Sequence, residues 1–552
     1  GTVTAWTDDR GMTMREDGLR GLLQPWSMTV NRFIEHAARW HGDREVVSFR
    51  DDGVVERTDY AGIRRDAARL SNALLAHGIA PGDRVATLAM NSGAHLAAWY
   101  GIAGIGAVCH TLNPRFSEDQ LAWIIDHAGD RMLMADGAFA EMAGQLARRC
   151  PSIEKLLLFT PPQDESSGQL IEDFSAGHSD ECAWGGFDEE LAAGLCYTSG
   201  TTGDPKGVLY SHRSNVLHTL FTLQPDALNL SARDVVMPIV PMYHANAWGL
   251  AFSAPAVGTR LVMPGSRLDG ATLFERLRDE GVTFAAAVPT AWLGLLDYLE
   301  AHDERLPALS RVVVGGAAMS EQLLRRLDAR GIEAIAAWGM TELSPVGGVS
   351  APLPATAAMT SEERIASRLK QGRVPFGVDM RIVDENGAPL PHDGMAAGAL
   401  QMRGPAVAAG YYRLDEERLT PDGFLDTGDI ATIDPLGYVK ITDRAKDIIK
   451  SGGEWISSID IENAASLFPG VGFAAVIGVP HPKWDERPLL LITVTGNGPP
   501  DLDALRGHLA ARLPRWWLPD EIRIVDELPL GSTGKIDKKR IRAACADQAG
   551  NA

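Results

Sequence analysis

From about residue 30 to residue 442 the chain alternates stretches with apolar residues at helical spacing and short, continuously apolar runs. Helical spacing over 66–76 is followed by an apolar run at 85–90, and spacing over 272–279 by a run at 284–288. Further runs at 191–196 and 208–210 read as strands. This alternation predicts α/β layers with largely parallel sheets. The Pro- and Asp/Ser-rich stretch 160–168 reads as a surface excursion. The last 110 or so residues have another texture: short strands at 438–441, 474–479 and 489–494, helices at 459–465 and 502–513, then a basic tail. The expected fold class is therefore α/β, with a large multi-layer amino-terminal domain of mostly parallel sheets over 1–442 and a small α+β carboxyl-terminal domain over 443–552.

A chain of 552 residues exceeds one ordinary core, which agrees with two domains. Hydrophobic residues make up 45% and charged residues 22%, a soluble globular composition, and no run of eighteen uninterrupted apolar residues implies a transmembrane helix. The first twenty residues carry Asp8, Asp9, Glu16 and Asp17 and no apolar core, so they do not read as a signal peptide. Five cysteines without CxxC spacing argue against a metal cluster or disulfide scaffold, and make the cytoplasm the expected location. A net charge of −20 disfavours nonspecific nucleic-acid or anionic-membrane binding.

Between two of the apolar runs lies Tyr197-Thr198-Ser199-Gly200-Thr201-Thr202-Gly203-Asp204-Pro205-Lys206-Gly207, which holds four aliphatic hydroxyls, three glycines and one lysine. Glycines let a backbone approach an anion, successive N–H groups form a nest, and hydroxyls and Lys206 add donors, so the segment suits phosphate. It is not a Walker A loop, because Gly207 follows Lys206 where Ser or Thr would stand. A Gly/Thr-rich surface turn is the alternative. Further segments follow in order: Pro241-Met242-Tyr243-His244, Trp338-Gly339-Met340-Thr341-Glu342, Thr427-Gly428-Asp429, Asp443-Arg444 through Gly452-Gly453-Glu454, and Gly531-Ser532-Thr533-Gly534-Lys535. Taken singly, each has an ordinary explanation. Thr341-Glu342 fits a helix start, Trp338 a core tryptophan, His244 a hydrogen-bonded core histidine, Asp429 a turn, and Lys535 a solvated basic tail.

The ordered set resembles the adenylate-forming superfamily of acyl-CoA synthetases, luciferases and adenylation domains, over nearly the whole chain from about residue 28. The resemblance implies that Thr198, Ser199, Gly200, Thr201, Thr202, Gly203 and Lys206 grip the ATP phosphates and that Thr198 and Glu342 lie near Mg2+. Thr341 would touch the α-phosphate, and Trp338, with Ala336, Ala337, Gly339 and Met340 on the same strand, would flank adenine opposite Gly315, Gly316 and Ala317. Asp429 would accept the ribose hydroxyls beside Arg444. Lys535 would bridge carboxylate and α-phosphate, carried by a mobile small domain that pivots at Lys446. After rotation Lys450, Gly452, Gly453, Glu454 and Trp455 would replace it and line the path of CoA.

The segment His244 to Leu250 resembles medium- and long-chain fatty acyl-CoA synthetases and the ligase for methylthiopropionate. His244, Ala245, Trp248, Gly249, Ala287 and Val288 are the implied acyl contacts, with His244 at the carboxylate and Trp248 gating or flooring the channel. No acidic residue stands between Pro241 and Gly249 to meet a substrate ammonium, which disfavours an amino acid. Ala287 stands where long-chain relatives often carry glycine, so medium-chain and aryl-alkanoic acids are as credible as long ones. The expected activity is that of an ATP-, CoA- and Mg2+-dependent acyl-CoA synthetase, with a homodimer suggested by relatives alone. The alternatives are a fatty acyl-AMP ligase loading a carrier protein, a luciferase-like oxygenase, and a noncatalytic acyl- or nucleotide-binding regulator.

Overall fold

A computed structural model describes residues 6–7, 13–14, 22–162, 168–198, 204–415, 418–444, 447–451, 454–495, 498–531 and 535–549. Two large sheets form the amino-terminal part. The first runs Lys206–Ser211, Ala192–Thr198, Val108–Thr111, Arg84–Leu88, Asp130–Ala135, Lys155–Leu158, Gln169–Leu170, and is parallel apart from the pairing of its first two strands. The second places Glu333–Gly339, Arg311–Val314, Phe284–Ala287, Val235–Pro238 and Arg260–Met263 side by side in parallel. Strands such as Arg84–Leu88 and Asp130–Ala135 are buried along most of their length, which explains their continuous apolar reading.

Local chemistry starts and stops the helices between them. Asp59 caps Tyr60–Ala76 by accepting from Gly62 N at 2.7 Å. Ser117 and Gln120 form a capping box on Glu118–Ala128, which ends at Gly129 with φ +68°. Trp99, fully buried, joins the layers: its ring lies 4.7 Å from Phe252, and its N–H donates to Asn246 Oδ1 at 3.0 Å.

The helix–strand alternation expected up to residue 442 ends earlier. Asp379–Val383, Gly398–Arg403, Leu425–Ile433 and Val439–Arg444 form an antiparallel sheet of four strands. Antiparallel neighbours need no helical crossover, and the connection after Val383 is instead a turn in which Asp384 accepts from Asn386 N and Ala388 N at 2.9 Å. The small carboxyl-terminal unit has its own sheet of Glu454–Ile456, Ile449–Ser451, Asp485–Val494, Val471–His481 and Glu521–Ile524. At the expected joint, Ser457 Oγ donates to Thr442 O at 2.7 Å and Asp443 Oδ2 accepts from Ser458 N at 2.9 Å. Lys446, the expected pivot, lies outside the described residues. The segment before the last helix turns back on itself, with Gly531 N donating to Lys535 O at 2.7 Å and Asp537 N to Pro529 O at 2.8 Å. This turn projects Lys535 from the small unit.

Four histidines, three buried and one half-buried, couple this fold to pH. Burial lowers His95 and His212 to about 4, and His218 and His244 to about 3, from an ordinary 6.5. Below pH 6.5 the unfolded chain therefore binds protons that the native chain refuses. Stability should fall with pH from about 6.5 towards 4, by up to about 1.4 kcal/mol per pH unit for each histidine. Denaturant unfolding at pH 7 and pH 5 measures this, and equal free energies at the two values would contradict it.

Candidate active site

A cavity of about 380 Å³ lies between the large and small parts. Its wall combines apolar residues, among them Leu228, Ile239, Leu268, Phe284 and Val313, with the polar residues Arg115, His244, Thr341 and Lys535. Of the residues expected to bind the acyl group, His244, Ala245, Trp248, Ala287 and Val288 line it. Gly249 is not part of the wall: it sits behind, where a Cβ would meet His218 Cε1 at 3.1 Å. Of the residues expected at the nucleotide, Gly315, Gly316, Ala337, Trp338, Gly339, Met340, Thr341 and Lys535 line the cavity, while Ala317 and Ala336 do not.

Gly315 and Gly316 form a shelf with no side chains. A Cβ at Gly315 would lie 3.0 Å from Trp248 Cη2, and one at Gly316 would lie 3.0 Å from Val288 Cγ1 and 3.7 Å from Lys535 Cε. Trp248 and Lys535 thus converge on Gly316 from different parts of the fold. Trp248 reaches the shelf from a left-handed turn in which Ala245, Asn246, Ala247 and Trp248 have φ of 41°, 60°, 54° and 55°. Such backbone costs roughly 1–2 kcal/mol per residue, and here the Trp99–Asn246 hydrogen bond and Gly249, at φ +80°, help to hold it.

His244 is half-buried beside Lys535 and Arg115. Desolvation first, then those two cations, lowers it to about 3, so the ring is neutral at physiological pH. Trp338 serves both as cavity wall and as core: its N–H donates to Asp429 Oδ2 at 3.1 Å, and its ring packs with Leu343, Leu400 and Met402. Asp429 therefore enters the site through Trp338. Tyr210 Oη donates to Thr341 O at 2.7 Å, and Tyr411 Oη to Glu342 Oε1 at 2.5 Å.

Thr198 and Lys206 pair across the Ala192–Thr198 and Lys206–Ser211 strands, at the two ends of the hydroxyl-rich loop. Ser199, Gly200, Thr201, Thr202 and Gly203 themselves lie outside the described residues, as do Gly452, Gly453 and the side chains of Arg444, Glu454 and Trp455. Lys450 is exposed on the Ile449–Ser451 strand, away from the cavity wall, with its N–H on Glu486 Oε2 at 3.0 Å. Arg115, Tyr197, Tyr210, Tyr411 and Leu530 belong to the site without having been singled out in the sequence.

A cavity with both apolar and polar lining, to which the large part and the small unit both contribute, is the setting for the comparisons with known proteins. The profile of the AMP-binding enzyme family matches residues 33–412, and that of the AMP-binding enzyme C-terminal domain matches 460–535. The chain belongs to the AMP-binding enzyme family. It is 43% identical over 533 residues to a medium-chain-fatty-acid–CoA ligase of Ectopseudomonas oleovorans, covering 96% of this chain and 98% of that one. It is also 43% identical over 530 residues to a 3-methylmercaptopropionyl-CoA ligase of Ruegeria lacuscaerulensis, covering 95% and 98%. Among solved structures, the anthranilate CoA ligase AuaEII in complex with anthranoyl-AMP superposes with a TM-score of 0.86 at 22% identity, over 96% of this chain and 99% of that one, a likeness of fold.

The Trp248–Gly315 contact in this AMP-binding enzyme is tight enough to test by itself. Gly315→Ala should destabilise the protein by about 1–3 kcal/mol through overpacking, and most of that loss should vanish in a Trp248→Ala background. A double-mutant cycle by denaturant unfolding measures the coupling. Additive effects would place the strain elsewhere.

Proposed function

We propose that this chain is an AMP-forming acyl-CoA synthetase for an apolar carboxylic acid of medium length or of the aryl-alkanoic kind. One observation carries the reading: a single cavity joins an apolar pocket to Thr341, Trp338, the Gly315–Gly316 shelf and Lys535. A carboxylate seated between His244 and Lys535 would have its tail among Leu228, Leu268 and Phe284. Its oxygen attacks the α-phosphorus of ATP, the bond to the β-phosphate oxygen breaks, and pyrophosphate leaves. The CoA sulfur then attacks the acyl carbon, and AMP departs with the oxygen it shared. Both steps build charge on oxygen, so positioning and fixed charges do most of the protein's work.

In this reading Lys535 spans carboxylate and α-phosphate, and Thr341 steadies the phosphate. Neutral His244 borders the acid without adding a third cation to Lys535 and Arg115. Asp429, oriented by Trp338, accepts the ribose hydroxyls. Lys206 and the loop after Thr198 hold the outgoing pyrophosphate. Glu342 and the Thr198 hydroxyl would hold Mg2+, a hard cation that would take its remaining ligands from water and phosphate and offset phosphate charge. Their donor chemistry fits it: one buried carboxylate with an oxygen engaged by Tyr411, one hydroxyl, and among the described residues no cluster of three or more His, Cys, Asp or Glu able to hold a metal. The domain exchange that brings Lys450 to Trp455 to CoA, and a cytoplasmic location, remain parts of the same proposal. Free cysteines support the location.

Chain length is the open variable, since relatives of equal identity are named for different acids. Ala287 and Trp248 both line the cavity, and in this reading they limit its length. A pyrophosphate-release assay across a panel of acids, with and without CoA, tests acid class and acceptor together. Release that needs no CoA but accumulates adenylate in its presence would favour a carrier-protein acceptor.

Lys535→Ala should slow adenylate formation by several orders of magnitude, roughly 4–6 kcal/mol of transition-state stabilisation, and leave thioester formation from supplied acyl-adenylate nearly intact. Equal losses in the two half-reactions would refute the division of labour.

Ala287→Gly and Trp248→Ala should shift the optimum towards longer acids. At about 0.8 kcal/mol per buried methylene, two or three more should raise relative kcat/KM by about one to two orders of magnitude. An optimum that stays put, with loss confined to ATP affinity, would place these residues at the other end of the cavity.

A further inference from the structure

The segment 408–413 belongs to none of the motifs that marked the site in the sequence, yet it grips both sides of the phosphate-binding region. Ala408 N donates to Glu342 O at 2.7 Å, and Tyr412 N donates to Gly207 O at 2.8 Å, at the base of the loop that ends in Lys206. Between these two backbone bonds stands Tyr411. Its hydroxyl donates to Glu342 Oε1 at 2.5 Å, and Lys206 Nζ lies 5.0 Å from the centroid of its ring. The Arg418 guanidinium lies 4.9 Å from the same ring, and Cys196, Val208 and Tyr210 pack around it.

This phenol serves two opposite charges at once. A hydroxyl that donates to a carboxylate makes a short, charge-assisted bond and fixes that carboxylate in the plane of one of its oxygens. The negative face of the same ring attracts an ammonium. Tyr411 therefore sets the distance and direction between an anion and a cation that the sequence places more than a hundred residues apart. Tyr210, from the strand that begins at Lys206, completes the clamp by donating to Thr341 O at 2.7 Å.

We propose that Tyr411 is a positioning residue for the metal-bearing nucleotide: its hydroxyl aims the second oxygen of Glu342, and its ring face holds Lys206 ready for the phosphates. The proposal rests on the reading that Glu342 meets the metal of MgATP. It differs from that reading in predicting which variant separates metal-dependent from metal-independent binding. Among the described residues the hydroxyl's hydrogen bond goes to Glu342, so its removal should be felt mainly where the metal is present. The ring acts through Lys206, so its removal should be felt with or without metal.

Calorimetric titration of the full chain with ATP, once with Mg2+ and once with EDTA, distinguishes these. Tyr411→Phe should weaken MgATP binding about tenfold, the value of a hydrogen bond to a charged group, and move metal-free ATP binding by less than about twofold. Tyr411→Leu should weaken both. Tyr411→Phe added to Glu342→Gln should do no further harm, because the hydroxyl has then lost the charge it orients. Thermal melting of Tyr411→Phe, which keeps the ring and its packing, checks that the fold persists. If Glu342→Gln weakens MgATP binding and Tyr411→Phe does not, the positioning role is overturned. If Glu342→Gln itself leaves the metal dependence intact, the reading of Glu342 fails and the role of Tyr411 falls with it.

Discussion

The absence of side chains at Gly315 and Gly316 is the constraint on which the rest of the site depends. Methyl groups there would lie 3.0 Å from the Trp248 ring and 3.0 Å from Val288 Cγ1, too close for either neighbour to stay where it is. Because the shelf is bare, an indole from one side and a lysine from the small carboxyl-terminal unit can reach the same few ångströms of space. The strand Arg311–Val314 that leads into the shelf is buried in the centre of a parallel sheet, so the shelf is held from below by packing. What approaches it, by contrast, is held by strain or by a separate unit: four left-handed residues carry Trp248, and a backbone-bonded turn carries Lys535. In the proposed two-step reaction such a floor would serve both steps while the groups above it change between them.

The polar groups follow the same division. Three residues that the proposed chemistry uses are fixed by partners from elsewhere in the chain: Asp429 by the Trp338 N–H, Glu342 by the Tyr411 hydroxyl, and the backbone of Thr341 by Tyr210. These partners are aromatic, and each combines an apolar body that packs with a single donor at its tip. The packing makes the donor's direction reliable. A serine or lysine in the same place could donate equally well, but could also turn away.

What was legible in the sequence was whatever is written in consecutive residues. The hydroxyl-rich loop, Trp338 to Glu342, and the glycine-flanked Lys535 each carry their chemistry within a few positions, and the structure brings Trp338, Thr341 and Lys535 to one cavity. What escaped was written across the chain. Tyr411 meets Glu342 over 69 residues, and no spacing rule connects them. The paired Tyr411-Tyr412 after Gly410, two adjacent aromatics in a loop, was the available signal. Arg115 is an exposed residue of a turn in the structure as well, and only its place on the cavity wall marks it. The left-handed turn at Ala245–Trp248 had no glycine before Gly249 to announce it, because its geometry is imposed by tertiary contacts against local preference. The four antiparallel strands were misread for a different reason: the Asp384 to Gly387 turn signal was present, but the preceding alternation was carried past it.

His244 shows how an acidic protein can handle an anionic substrate. With a net charge of −20, the chain concentrates positive charge locally, and Lys535 and Arg115 both face this histidine. A protonated His244 would make a third cation in a space of a few ångströms. That would bind a carboxylate more tightly, but it would also lower the energy of the very lone pair that must attack phosphorus, so ground-state affinity would come at the expense of rate. Desolvation prevents this: it holds the ring neutral at physiological pH and leaves His244 able to offer a hydrogen bond without a full charge. In the proposed reaction the positive charge at the reacting centre then rests mainly on Lys535, a residue of the small unit.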